Sequence, residues 1–378
     1  MKKLLTFIII VVAAFQPVFA QRLLPKFVRK MFFEKDTSKR SSFVLLPVLS
    51  SAPETGLEVG GAGLLSFYTD TVGHITRVSN LFAYATITTK GQNRFSLSSS
   101  YWVPQNKFHY SAAISYINFP ANFYGIGNNT RKANQDLVDE KRFKFSFNGE
   151  KLFGNNIYIG YVAGGFNYKE GDKNTTGIFN TSANVEDRNG GASLYIGPSF
   201  IYDSRNNNTY TTKGMILSAY YNIMHGILSN NNYQGGFLNI EYSQFFLLNK
   251  RLVLGIDVQE QSLTGSQSPF YLLPALGSDE MMRGYYNGRY RDRNFIAGQT
   301  ELRYRMNDRI GFVGFVGTGE VFHTNFSFRQ LKPDYGGGLR YFFDVEKGLS
   351  VRLDYGAGQK PTGEARESGF YIGLGQAF

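Results

Sequence analysis

The chain has 378 residues, a formal net charge of +11, 34 Phe, 25 Tyr and 42 Gly, and no cysteine. Without cysteine there are no disulfides, no thiolate chemistry and no Cys-ligated metals. After the N-terminal region no stretch approaches the roughly 18 uninterrupted apolar residues of a helical membrane span, and no nucleic-acid motif accompanies the basic charge.

Residues 1–20 read as a secretory signal. Lys2 and Lys3 precede the apolar run Leu4 to Phe15, and Val18-Phe19-Ala20 supplies a small residue before Gln21. The run is too short to cross a bilayer as a helix, and Gln21 offers no cysteine for a lipid anchor. Residues 21–42 form a short periplasmic leader, basic through Arg22, Lys26, Arg29 and Lys30, in which Leu23, Leu24, Phe27 and Met31 recur at helical spacing.

Residues 43–378 read as one all-β domain, a transmembrane antiparallel barrel. Sixteen strands are expected, over 43–51, 56–69, 77–88, 93–103, 107–117, 140–152, 157–169, 191–202, 214–228, 233–248, 251–263, 294–306, 309–323, 334–345, 348–358 and 368–378. An even count suits a barrel whose termini share one side of the membrane. Links after even strands are mostly short (104–106, 153–156, 249–250, 307–308, 346–347), whereas the longest follow odd strands (118–139, 170–190, 264–293). That asymmetry fits tight inner turns and long outer loops, with 203–213 as the exception.

Alternation assigns the faces. Leu252, Leu254, Ile256 and Val258 face lipid, as do Leu302, Tyr304, Met306, Val351 and Leu353; Asp257, Gln299, Glu301, Arg303, Arg352 and Asp354 face the lumen. The closing strand is expected to alternate to the end, with Phe370, Ile372, Leu374 and Phe378 on the lipid face and Phe378 as a C-terminal assembly signal. The histidines, His74, His109, His225 and His323, sit in no catalytic motif, so neither an active site nor a cofactor or metal is expected.

The most specific segment is Met282-Arg283-Gly284-Tyr285, in the long outer loop before the twelfth strand. With it go Phe123-Tyr124-Gly125-Ile126-Gly127-Asn128, Asp203-Ser204-Arg205 with Gly214 downstream, Tyr335-Gly336-Gly337-Gly338-Leu339-Arg340, and Arg352-Leu353-Asp354-Tyr355. In order and spacing these segments resemble the outer-membrane assembly barrels of the BamA/TamA type, the bacterial surface antigen family. The resemblance implies that Arg283 lies inside the barrel, bonded to acidic residues on the twelfth and thirteenth strands. Glu301 fits the first. The thirteenth strand carries Phe315-Val316-Gly317 where the family has Phe-x-Asp, leaving Glu320 as the nearby substitute. The resemblance also implies insertion or translocation of proteins at the outer membrane. The short leader leaves no room for the family's periplasmic POTRA modules, so a barrel-only member is expected. Partners would be outer-membrane lipid and lipopolysaccharide, with client proteins or a separate periplasmic chain. The alternative function is a loop-plugged pore, or an anchor for such a chain.

Overall fold

The computed structural model describes residues 41–52, 56–70, 75–172, 174–227 and 233–378. The predicted signal, nearly all of the leader and His74 lie outside these residues. Ser42–Ala52 (β1), Gly56–Phe67 (β2), Ser79–Thr88 (β3), Asn93–Trp102 (β4), Phe108–Phe123 (β5), Asp136–Phe153 (β6), Ile157–Gly171 (β7) and Gly190–Asp203 (β8) form the first half of a barrel. Gly214–Gly226 (β9), Gln234–Asn249 (β10), Leu252–Thr264 (β11), Asn294–Arg305 (β14), Ile310–Phe322 (β15), Lys332–Asp344 (β16), Leu349–Ala357 (β17) and Ser368–Leu374 (β18) form the second. All sixteen pair antiparallel in chain order. Ala275–Leu276 (β12) and Tyr290–Arg291 (β13) make a separate two-stranded ribbon within the long loop before β14.

Two differences from the sequence reading stand out. β5 and β6 run well past their expected ends and pair out to Phe123↔Asp136, which shortens the loop between them. Backbone pairing there persists through Asn118–Phe123 and Asp136–Asp139, a stretch broken by Pro120 and bearing Asp136 and Asp139 that a hydrophobic pattern does not mark as strand. The last strand stops early: β18 ends at Leu374, Gly375 takes φ +83°, and the final residues leave the alternation. Phe378 is therefore not on the lipid face. Its ring packs 5.8 Å from Phe245, which is buried, and its carbonyl accepts a 2.8 Å hydrogen bond from Arg303 Nη2.

The outer wall is apolar. Phe145, Phe147, Ile159, Tyr161, Ile196, Leu302, Val316 and Leu353 are all exposed on it, whereas charged wall residues such as Asp257, Glu301, Arg303, Arg352 and Asp354 are buried inside. The core is thus luminal. One buried cluster joins Leu276, Met281, Met282, Tyr285 and Tyr290 of the long loop to Phe295, Ala297 and Val321 of the wall. β1 and β18 are the two ends of the hydrogen-bonded order. Near the short-turn rim the side chains of β1 reach past β18 to the β16–β17 turn: Lys347 Nζ donates to Ser42 Oγ at 2.8 Å and to Asp344 at 2.9 Å, and Val44 packs with Phe343 and Leu349.

At the same rim the 204–213 turn folds across the opening. Asn208 brackets Val78, donating to its carbonyl (3.0 Å) and accepting from its N–H (3.3 Å), and the Tyr210 ring stands edge-on to Phe342 at 5.1 Å. This explains the one inner link that looked too long in the sequence.

The face assignment has a direct consequence. Leu302→Arg, on the lipid face, should destabilise the folded barrel by about 2–4 kcal/mol in a urea titration in bilayers. Thr300→Ser, on the same face, should change it little; equal effects would contradict the assignment.

Candidate functional site

The loop between β11 and β14 does not stand out in solvent but descends into the lumen. Arg283 is fully buried there. An arginine cannot shed its charge, so burial requires anionic partners with good geometry. Its Nη2 lies 2.7 Å from Glu301 Oε1 and 3.0 Å from Gln299 Oε1, both on β14. Its Nη1 donates to Asp354 Oδ2 on β17 at 3.0 Å, and the guanidinium stacks 3.5 Å from the Phe315 ring centroid on β15. Glu301 and Asp354 are themselves fully buried and each serves a second cation: Arg303 Nε donates to Glu301 at 2.9 Å, and Arg340 pairs with Asp354. Arg352 holds Asp279 of the loop at 2.6 Å.

The neighbours of Arg283 shape its seat. Gly284 has φ +112°, and a Cβ there would press on the backbone of Gly356 and Ala357 at 2.9 Å. Only glycine combines that dihedral with that approach. Its N–H donates to Tyr371 Oη at 2.8 Å, which ties the loop to β18. Tyr285 Oη donates to the Pro333 carbonyl at 2.6 Å and accepts from Gln359 N–H at 2.9 Å, and Met282 is wholly buried beside it. Higher up, the loop meets the Phe123–Asn128 segment and the residue before it: Gly127 N–H donates to the Arg291 carbonyl at 2.7 Å, and Asn122 N–H to Tyr286 Oη at 3.0 Å. Two motifs 160 positions apart in the sequence are therefore one assembly.

Glu320 does not take the place expected for it. It pairs across from Ile296, on the parity opposite to Gln299 and Glu301, and its Oε1 accepts the Ser327 N–H at 2.7 Å. Strand alternation alone keeps it from Arg283. With no carboxylate on β15, the second acidic partner of Arg283 is Asp354 of β17, while β16 brings another carboxylate, Asp334, beside the 317 position. Asp334 is the register partner of Gly317, and a Cβ on Gly317 would collide with Asp334 Oδ1. Asp334 is buried, and no hydrogen-bond partner reaches either of its carboxylate oxygens. The sequence signal was present, as an aspartate two positions into a strand beside an inward glycine, but it required the register.

The turn motif lies at the opposite rim. Arg205 grips Asp203 through Nε (3.0 Å) and Nη2 (2.9 Å), and Arg77 approaches the same carboxylate at 3.1 Å. Gly214 has φ +92°, and a Cβ there would strike the Ser204 carbonyl. This set shapes the 204–213 turn and is separate from Arg283.

A further polar group joins residues that the sequence did not connect. His109 Nε2 lies 3.0 Å from Ser100 Oγ, and its Nδ1 lies 3.1 Å from Glu150 Oε2. No local motif signals this set because the three residues come from β4, β5 and β6.

Two outcomes follow from the Arg283 seat. Arg283→Ala should take one buried cation from each of Glu301 and Asp354 and cost about 3–5 kcal/mol in unfolding free energy. Combined with Glu301→Gln it should cost less than the sum of the single changes; additive losses would show that the two side chains do not interact. Gly317→Asp alone should lower stability by about 1–3 kcal/mol through crowding of like charges. Adding Asp334→Gly should restore the wild-type melting temperature, whereas no rescue would contradict the shared space of the two positions.

Comparison with known proteins agrees with this architecture. The Omp85 superfamily domain matches residues 83–378. A crystal structure of BamA from Haemophilus ducreyi lacking POTRA domains 1–3 superposes with a TM-score of 0.55 at 12% identity, covering 89% of this chain and 70% of that one. CdiB from Acinetobacter baumannii gives 0.54 at 12% identity, covering 89% and 60%. CdiB from Escherichia coli gives 0.55 at 10% identity, covering 89% and 62%. The chain thus spans less than two thirds of the CdiB chains, and at these identities the likeness is one of fold. No curated protein matches in sequence. With more than half of its length matched by the family domain, the chain belongs to the Omp85 superfamily, the outer-membrane barrels that include these relatives.

Proposed function

We propose that this barrel assists the insertion or translocation of proteins at the bacterial outer membrane, with Met282-Arg283-Gly284-Tyr285 as the internal anchor that sets its conformation. The observation that carries the reading is the hydrogen bond from Gly284 N–H to Tyr371 Oη. It couples the buried loop to the terminal strand β18, one of the two strands that bound the ladder. β18 is short, ending at Leu374, and its tail turns inward to Arg303, whose other partner is Glu301 of the Arg283 seat. A change in the loop is thereby felt at the strand where a client could pair. Outer-membrane lipid would surround the apolar wall, and client proteins, or a separate periplasmic chain, would be the partners.

A second reading is supported by a different observation. The lumen is obstructed from both ends, by the Arg283 loop and by the 204–213 turn, as in a plugged pore. The two readings separate experimentally. Depletion of the protein followed by quantitative outer-membrane proteomics should remove a defined set of barrels or secreted proteins if it is an assembly or export device. An unchanged membrane proteome, with conductance in planar bilayers that rises when residues 280–293 are deleted, would establish the pore instead.

A further inference from the structure

Ser100, His109 and Glu150 form a hydrogen-bonded relay on the luminal wall, and we infer that it is a hydrolytic site for carboxylic esters of long aliphatic acids. This goes beyond the proposed role in protein insertion and does not depend on it. The three residues face inward on adjacent strands: Ser100 is two positions from Trp102, which pairs with His109, and His109 pairs with Glu150. Glu150 is buried and holds His109 Nδ1 at 3.1 Å, and Ser199 Oγ donates to its other oxygen at 3.1 Å. With a proton on Nδ1 directed to the carboxylate, Nε2 is free to accept the Ser100 hydroxyl proton at 3.0 Å. The order of nucleophile, base and orienting carboxylate is that of a serine hydrolase triad. The Trp102 ring stacks on the imidazole at 4.0 Å and 22° and fixes its plane.

Access and substrate class come from the adjoining cavity. It measures about 1270 Å³ and is lined by Ser98, two residues before Ser100 on the same face, and by Asn80, directly opposite Ser100 across β3 and β4. Its walls include Leu46, Leu64 and Phe82, and it reaches Ile372 on the lipid-facing side of β18. The cavity is apolar along its β1, β2 and β18 walls and opens onto the face of β4 that carries the half-buried Ser100 one pleat further on, so an aliphatic chain would lie along these walls with its ester end toward the serine. The donors proposed for the oxyanion are the amide of Asn80, the register partner of Ser100, and the Trp102 indole N–H, which is buried without a partner.

The chemistry balances with water alone. Ser100 Oγ gives its proton to His109 Nε2 and bonds to the ester carbonyl carbon. The C–O bond to the alcohol breaks, and the leaving oxygen takes the proton from His109. Water then loses a proton to His109, attacks the acyl-serine and releases the acid, returning the proton to Ser100. Glu150 acts through the histidine as a positioning residue.

The test uses the full chain folded in detergent micelles, with a fluorophosphonate probe and p-nitrophenyl palmitate and acetate. The expected result is covalent labelling that mass spectrometry places on Ser100, with palmitate cleaved faster than acetate. Ser100→Ala should abolish labelling, His109→Gln should lower turnover by about 10²–10⁴-fold, and Glu150→Gln should lower kcat with KM retained. Ser243→Ala, on a distant strand, should still label. Wild-type protein that takes no label, or a label that maps elsewhere, would overturn the site and leave the relay as a structural strut. Acetate cleaved as fast as palmitate would overturn the substrate class.

Discussion

One buried guanidinium constrains most of this structure. Arg283 cannot be neutralised, so the lumen must present fixed carboxylates, and those carboxylates must in turn be balanced. The result is a continuous chain of charge: Arg283 to Glu301, Glu301 to Arg303, and Arg303 to the Phe378 carbonyl. A second branch runs from Arg283 through Asp354 to Arg340 and on to Gln376. Loop, wall and C-terminal tail are thereby parts of one network rather than separate features. Its packing demands are equally specific. A Cβ on Gly338 would collide with Asp354, one on Gly356 would meet the Arg283 carbonyl, and one on Gly317 would meet Asp334. The glycines of these strands mark where the network needs room.

The network also bears on how the ends of the sheet behave. β18 spans only Ser368 to Leu374, so the start of β1 reaches past it to the 345–348 turn and to Leu349. At the other rim, β18 depends on Tyr371 and its bond to the buried loop. The terminal strand is thus supported less by a long ladder than by side chains rooted in the lumen. Glycine within a strand adds little packing of its own, and Gly373 lies directly against Arg352.

Much of the fold was legible in the sequence. Strand alternation and the unequal turn lengths identify the barrel, its strand count and the inner face, because a lipid-facing wall tolerates no buried-charge parity on the wrong side. Glu301 could be placed beside Arg283 from parity and the family resemblance together. Glu320 could have been excluded by the same parity, because it lies three positions from Gly317 on one strand and so points to the opposite face. The position of Asp334 was invisible because only cross-strand register brings it over Gly317. The inward turn at Gly375 defeats alternation, since one left-handed residue redirects Phe378. The Ser100, His109 and Glu150 relay illustrates the general limit, in that chemistry assembled across three strands leaves no local motif.

The central claim is that the loop bearing Arg283 is seated in the lumen as a structured element. Amide hydrogen exchange of the folded protein, read by mass spectrometry over residues 278–292, tests it most directly. The seated loop predicts slow exchange at Gly284, Tyr285 and Asp292, comparable to the β14 strand beside it, and fast exchange there in Arg283→Ala. Fast exchange of these amides in the wild-type protein would contradict the account.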